Sequence, residues 1–114
     1  MNDYHQKLCE LVISYINEHY TDNTLCLNDI AASANVSPAY LSALFKKNQG
    51  ISLSDFITSQ RISAAARYLT TTTMSLKEIS LKCGYANQYY FSTSFKKKMN
   101  VTPSAYRDTQ TSKS

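Results

Sequence analysis

Two stretches of this chain repeat each other, and the repeat limits the possible folds more than any other sequence feature. Ile30 corresponds to Ile79 at a shift of 49, and Phe45 to Phe95 at a shift of 50, so the second copy has one inserted residue. Each copy contains a short capped helix, a turn with Asn or Gly, and a second helix with the same pair of lysines near its end, Lys46-Lys47 or Lys96-Lys97. This order predicts two helix-turn-helix units. A simple pair of antiparallel helices is the alternative for one copy, but it is a poor explanation for a basic ending that occurs twice.

Helical spacing and capping signals extend over almost the whole chain, which has only two glycines and two prolines in 114 residues. We predict an all-α fold of seven helices, in which two helix-turn-helix subdomains are joined by a long linker helix. The expected segments are 1–50 for the N-terminal helix and first subdomain, 51–70 for the linker helix, 71–107 for the second subdomain, and 108–114 for a polar, frayed C-terminal tail. Because β-branched side chains lose rotamers in a helix, we expect the threonines at 70–73 to form a turn.

Composition and charge are compatible with a small DNA-binding protein but do not identify one. The formal net charge of +4 attracts polyanions, although many unrelated proteins share such a value. No apolar run is long enough to cross a bilayer and the first residues lack a secretion signal, so we expect a cytoplasmic, nucleoid-associated protein without a membrane partner. Cys9, Cys26 and Cys83 lack the paired spacing of a zinc site, so we expect reduced thiols, no metal and no cofactor.

Short motifs in both copies resemble those of a known protein family. They are Asp29-Ile30-Ala31, Val36-Ser37-Pro38, Tyr40-Leu41, Leu44-Phe45-Lys46-Lys47, Arg61-Ile62, Glu78-Ile79, Cys83-Gly84-Tyr85, Tyr90-Phe91, Phe95-Lys96-Lys97 and Thr102-Pro103-Ser104 with Tyr106-Arg107. Through these motifs the chain, from about Leu8 to Arg107, resembles the AraC/XylS family of bacterial transcription regulators. The resemblance implies sequence-specific binding of double-stranded DNA, with the third and sixth helices inserted into successive major grooves.

Three positions depart from the usual pattern of that family. Cys26 stands where a capping Ser or Thr is common, and Ser80 where Ala is common. We therefore expect the first helix of each unit to be slightly less stable. Asn100 replaces a frequent Gly, which a left-handed backbone tolerates.

Helical periodicity separates a buried stripe from a groove-facing stripe on the third and sixth helices. The residues expected to face bases, which match the base-contacting positions of the family, are Ala39, Ser42 and Ala43 in the first unit and Gln88, Tyr89, Ser92 and Thr93 in the second. A glutamine can make two hydrogen bonds to adenine, whereas alanine offers only apolar contact to a thymine methyl group. We therefore expect the second unit to discriminate more, and the first to depend on phosphate contacts, DNA shape and thymine methyls. A plain solvated surface is the alternative.

Basic and neutral donors beside these stripes are candidates for contacts with phosphate. The residues expected to contact phosphate are Lys46, Lys47, Asn87, Lys96 and Lys97, and the capped helix start at Ser37 offers further donors. For the lysines, a role in solubility is the alternative. Arg61 interrupts the apolar stripe of the linker helix, and there we favour a structural ion pair or hydrogen bond over a DNA contact.

The linker helix, predicted from Ser52 to Leu69, is about 27 Å long at 1.5 Å per residue. Major grooves on one face of a duplex recur about every 34 Å, so a rigid spacer of this length can set two reading helices one turn apart. We therefore expect one monomer to cover about two turns of DNA without a two-fold partner. RNA polymerase is a further candidate partner.

Other functional classes explain the sequence less well. His5 and His19 lie in or beside the first helix, and no nucleophile pairing or glycine-rich phosphate loop is present, so we expect no enzyme activity. A helical adaptor that binds another protein would not need a repeated basic pair. Since Met1 opens almost directly on the first helix, we expect the chain to be the DNA-binding part of a longer regulator.

Overall fold

The computed structural model describes residues 3–111, with side chains through residue 109. Over this range the chain forms seven helices and no strand, which confirms the predicted all-α fold. The helices are α1 (Asp3–His19), α2 (Leu27–Ser33), α3 (Pro38–Gln49), α4 (Leu53–Thr71), α5 (Leu76–Lys82), α6 (Gln88–Met99) and α7 (Pro103–Thr111). None of these helices combines the length and apolarity that a bilayer span requires.

The helices divide into two compact units. The first unit comprises α1, α2, α3 and the start of α4 up to Ile57. The second unit comprises the remainder of α4, α5, α6, α7 and the short segment Thr21–Asn23. The helix predicted as a linker therefore begins in one unit and ends in the other.

The core of the first unit lies among α1, α2, α3 and the start of α4. Its buried residues are Leu8, Cys9, Val12, Ile16, Ile30, Ala31, Leu41, Leu44, Phe45 and Leu53. The ring of Phe45 packs edge-on against that of Phe56, with ring centroids 5.5 Å apart. Burying an apolar side chain of this size contributes about 2–3 kcal/mol, so this cluster holds α3 in place with one face turned outward.

The core of the second unit is built around aromatic rings. Phe91 and Phe95 of α6 are fully buried, with ring centroids 5.8 Å apart, and Phe95 also meets Tyr106 of α7 at 5.5 Å. Ser80 of α5 is buried as well, and its hydroxyl donates to the carbonyl of Lys77 at 2.7 Å. The hydrogen bond satisfies the hydroxyl, so a serine is accommodated where the family commonly has alanine.

The threonine run after the linker helix differs from the expectation. Thr70 and Thr71 belong to α4, and the prediction of a turn over 70–73 is wrong for these two residues. The hydroxyl of Thr71 donates to the carbonyl of Arg67 at 2.6 Å, and that of Thr70 donates to the carbonyls of Ala66 and Arg67. Arg107 also binds the carbonyl of Leu69, so contacts within and outside the helix extend it beyond what propensity predicts.

The C-terminal helix also runs further than expected. α7 begins after Thr102, whose hydroxyl accepts the backbone N–H of Ala105 at 3.1 Å, and continues to Thr111. Residues 108–111, expected in a frayed tail, are therefore helical. The rest of that tail, residues 112–114, and the first two residues of the expected 1–50 segment lie outside the described residues.

Candidate nucleic-acid interface

The turn after the first helix of each copy has the same geometry. Asn35 and Gly84 both adopt positive φ values, 59° and 91°, which Asn and Gly tolerate best. The next backbone N–H, of Val36 or Tyr85, donates to the carbonyl five residues earlier at 3.0 Å and 2.9 Å respectively. This arrangement ends a helix with a sharp change of direction. The repeat in the sequence is therefore also a repeat in backbone structure.

The second helix of each copy begins at a side-chain cap. The hydroxyl of Ser37 accepts the backbone N–H of Tyr40 at 3.2 Å, and Oδ1 of Asn87 accepts that of Tyr90 at 3.0 Å. The residue inserted in the second copy lies in the turn just before its cap, so α3 and α6 keep matching registers. Asn87, predicted to contact phosphate, thus uses its side-chain oxygen to cap α6, while its amide hydrogens are the groups that could reach a phosphate.

Both of these helices also end alike. Gly50 and Asn100 lie in the left-handed region, with φ of 82° and 65°. Their backbone N–H groups donate to the carbonyls of Lys46 and Lys96 at 2.9 Å and 2.8 Å. Asn100 therefore performs the backbone role of the glycine it replaces.

Helix α3 presents a buried stripe and an exposed stripe, as its periodicity predicts. The buried stripe is Leu41, Leu44 and Phe45. The three residues predicted to face bases, Ala39, Ser42 and Ala43, are all exposed. This outer stripe carries one hydroxyl and two methyl groups, so only one of its side chains can form a hydrogen bond with a base.

Helix α6 presents a more varied outer face. Phe91 and Phe95 point into the core, and the predicted base-facing residues Gln88, Tyr89 and Thr93 are exposed. The ring of Tyr89 is 73% exposed, the largest value among the exposed large hydrophobic residues of the described chain. Ser92 is half-buried, whereas Ser42, its counterpart in α3, is exposed. The outer face of α6 therefore offers an exposed amide, an exposed phenol and an exposed hydroxyl.

The four lysines predicted to contact phosphate are exposed in the last turns of α3 and α6. They are Lys46, Lys47, Lys96 and Lys97. A cation in the last turn also interacts favourably with the helix dipole, so part of their role is structural. In each unit these charges flank the predicted base-facing stripe of the same helix.

Arg61 makes a structural hydrogen bond, as the sequence favoured. Its Nη2 donates to the backbone carbonyl of Asp22 at 3.0 Å, and its guanidinium lies 5.7 Å from the centre of the Tyr85 ring. Burial is the main cause that lowers the pKa of Arg61, and Coulombic attraction to Tyr85 and Asp22 opposes it. The guanidinium remains charged, because arginine begins from a very high pKa.

The cysteines differ in their surroundings. Cys9 and Cys83 are buried, and burial raises the pKa of the Cys83 thiol to about 11. Cys26 is exposed and precedes α2, but its side chain makes no hydrogen bond to the helix backbone; its thiol donates to Oδ2 of Asp29 at 3.3 Å. Among residues 3–111, no group of His, Cys, Asp and Glu is arranged to hold a metal ion.

Two exposed tyrosines were not among the predicted site residues. Tyr40 of α3 is 42% exposed and Tyr90 of α6 is 59% exposed. They correspond to each other at the shift of 50 that relates the two helices. That correspondence was the signal in the sequence that would have drawn attention to them.

The chain is similar to known regulators over most of its length. A family described as a helix-turn-helix domain matches residues 30–109. The chain is 40% identical over 95 residues to the HTH-type regulator YtdP of Bacillus subtilis, covering 83% of this chain and 12% of YtdP. It is 34% identical over 103 residues to the regulatory protein SoxS of Escherichia coli, covering 90% of this chain and 95% of SoxS. The chain spans less than half the length of YtdP and of two other curated relatives.

A solved structure agrees with these sequence relationships. The C-terminal domain of AraT, a response regulator from Geobacillus stearothermophilus, superposes with a TM-score of 0.88 at 40% identity. The match covers 90% of this chain and 84% of that structure. The arrangement of helices described above is therefore one that an experimentally determined relative shares.

Proposed function

The chain belongs to the AraC/XylS type of helix-turn-helix transcription regulators, and from this we propose that it reads double-stranded DNA by placing α3 and α6 in successive major grooves. A single observation carries the proposal. Two helices of 12 residues each, with equivalent cap and stop hydrogen bonds, each expose one stripe bordered by a pair of lysines. An α-helix of this kind fits the width of a major groove.

We propose that the two helices contribute unequally to sequence recognition. Gln88 at the start of α6 is exposed and can form two hydrogen bonds to an adenine edge. Ala39 and Ala43 of α3 can offer only methyl groups, and Ser42 is too permissive to select one base. Specificity therefore comes mainly from α6, while α3 contributes through the shape of the groove and through thymine methyls.

The lysine pairs at the ends of α3 and α6 are proposed to bind the phosphate backbone. Each cation that neutralises a phosphate displaces counterions from the duplex, so binding weakens as salt rises. These contacts position the helices but carry no sequence information. The amide hydrogens of Asn87, and the capped start of α3 at Ser37, are proposed as neutral donors to the same backbone.

We propose that one monomer engages both grooves. Helix α4 is continuous over 19 residues, or about 28 Å, which suits a spacer between sites one helical turn apart.

RNA polymerase is the proposed protein partner, since a bacterial regulator acts by helping or hindering transcription. The proposed role is binding and not catalysis, and the proposed location is the cytoplasm, where the bacterial chromosome lies.

The test is a binding measurement across salt concentrations. Duplexes selected from a random library should bind in fluorescence anisotropy, with an affinity that falls steeply between about 50 and 200 mM salt. Footprinting should show protection over about two turns. Replacing Lys46, Lys47, Lys96 and Lys97 by alanine should flatten the salt dependence, whereas Lys7→Ala on α1 should leave it unchanged. Weak binding that salt hardly affects, or protection of a single turn, would contradict the proposal.

A further inference from the structure

Tyr40 and Tyr90 are placed alike on the two proposed recognition helices. Each follows its helix cap by three residues and uses its backbone N–H to complete that cap. Each also precedes a fully buried core residue, Leu41 or Phe91. A large aromatic residue thus occurs twice at one register, next to the core but with a substantial part of its surface in solvent.

Helical geometry places each tyrosine at an edge of the groove-facing stripe. Tyr40 precedes Lys47 by seven residues, which is an angular offset of only about 20° around the helix axis. Tyr90 precedes Lys97 by the same interval. From Tyr40 to the groove-facing Ala43 the offset is about 60°, so the tyrosine borders this stripe. Each tyrosine therefore shares one side of its helix with one lysine of the pair.

The part of each tyrosine that packing does not explain is the hydroxyl. Within the described chain, neither the hydroxyl of Tyr40 nor that of Tyr90 donates a hydrogen bond to another side chain or to the backbone. The ring of Tyr90 is held edge-on by the ring of Tyr89, with centroids 5.6 Å apart and planes at 74°. The ring of Tyr90 is therefore partly fixed, and both phenolic groups remain able to donate to an external acceptor.

We propose that Tyr40 and Tyr90 donate their phenolic hydroxyls to phosphate oxygens of bound DNA, at the groove edges that Lys47 and Lys97 also face. This inference rests on the proposed function. Tyrosine hydroxyls are among the ordinary donors to the DNA backbone. Because the side chains border the groove-facing stripe, they meet the wall of the groove and not the base edges. Each unit thus contacts the DNA backbone through a tyrosine hydroxyl near the start of its helix and a lysine near the end.

The test removes only the hydroxyls, by Tyr40→Phe and Tyr90→Phe. Each variant should bind about three- to tenfold more weakly, since one hydrogen bond is lost and the ring is retained. The loss should be equal for the selected duplex and for unrelated duplexes. The salt dependence should keep the wild-type slope, because no charge changes, whereas Lys47→Ala or Lys97→Ala should lower the slope by about one. Tyr4→Phe, on α1, is the matched control and should bind like the wild type.

Neutral methylphosphonate groups, introduced one at a time into the selected duplex, locate the acceptor. At one position per unit the substitution should weaken the wild type but have no effect on the corresponding Tyr→Phe variant. Wild-type affinity in both variants overturns the proposal, as does a change in sequence preference without a uniform loss. If the wild-type protein itself shows no salt-dependent binding, the proposed function fails and this inference fails with it.

Discussion

The Nε of Arg107 donates a hydrogen bond to the backbone carbonyl of Leu69 at 3.0 Å, which ties α7 to the C-terminal end of α4. Its Nη2 donates to the carbonyl of Thr72 at 3.2 Å. Two carbonyls that the end of a helix leaves without an internal partner are thereby satisfied. One side chain, 35 residues or more away in the chain, thus caps the C-terminal end of α4.

Replacing Arg107 by alanine should destabilise the second unit. The substitution leaves two partly buried carbonyls without their charged donor, which costs about 1–3 kcal/mol. Urea unfolding should show a lower midpoint at an unchanged slope. Lysine at this position should recover only part of the loss, because an ammonium group lacks the planar fork that reaches both carbonyls. An alanine variant as stable as the wild type would contradict this account.

The same contact explains why the end of α4 could not be predicted from the sequence. Thr70 and Thr71 have poor intrinsic helix propensity, and they are helical because their hydroxyls bind carbonyls of the preceding turn while Arg107 binds the helix end. The local sequence pattern contains the low helix propensity of these threonines. It does not contain the contact with Arg107, which comes close to them only in the folded chain. The helix starts were predictable because Ser37 and Ser75 cap backbone groups only three residues away.

The outer faces of the two proposed recognition helices also show what helical periodicity can and cannot predict. Periodicity predicted that Ala39, Ser42 and Ala43 are exposed, since each lies opposite a buried stripe of its own helix. It assigned Ser92 to the same class as Ser42, yet Ser92 is half-buried. A position at the border between two faces depends on the size and placement of neighbouring side chains, which helical spacing does not contain.

Replacing Cys26 by serine should stabilise the start of α2. The caps of α3, α4, α5, α6 and α7 all use a side-chain oxygen that accepts a backbone N–H three residues on, and Cys26 makes no such bond. A serine hydroxyl should accept the N–H of Asp29 and add about 0.5–1 kcal/mol to the free energy of unfolding. Cys26→Ala is the control, and serine should exceed it in urea unfolding. Equal stability of the two variants would show that the missing side-chain cap does not limit the stability of α2.

The three thiols should react in a fixed order. Cys26 is exposed, whereas Cys83 is buried and its pKa is raised to about 11, so at pH 8 Cys83 is almost entirely protonated. A chromogenic disulfide reagent should modify one thiol quickly in the native protein and the others only on unfolding. Cys26→Ala should abolish the fast reaction, and a fast reaction that survives this change would refute the assignment.

The raised pKa of Cys83 also predicts how stability depends on pH. A group with a higher pKa in the folded than in the unfolded state stabilises the protein below the unfolded pKa, and this contribution is lost as pH rises through the folded pKa. Burial is the dominant cause of the shift, so the protonated thiol is the form that the fold favours. Unfolding free energy should therefore decline from about pH 9 towards pH 11 more steeply in the wild type than in Cys83→Ala. If the free energy of unfolding declined equally with pH in both proteins, the raised pKa of Cys83 would be contradicted.

Gln88→Ala should relax the sequence preference of the protein at one base pair. The exposed amide at the start of α6 is the one side chain on the two outer stripes that can pair with both the donor and the acceptor of an adenine. Its loss should reduce discrimination at that position by about 1–3 kcal/mol, and competition titrations with single-position variants of the selected duplex would measure it. Ser42→Ala on α3 is the matched control, because a serine hydroxyl selects no single base. An unchanged preference in Gln88→Ala, together with a relaxed one in Ser42→Ala, would reverse the division of recognition between the two helices.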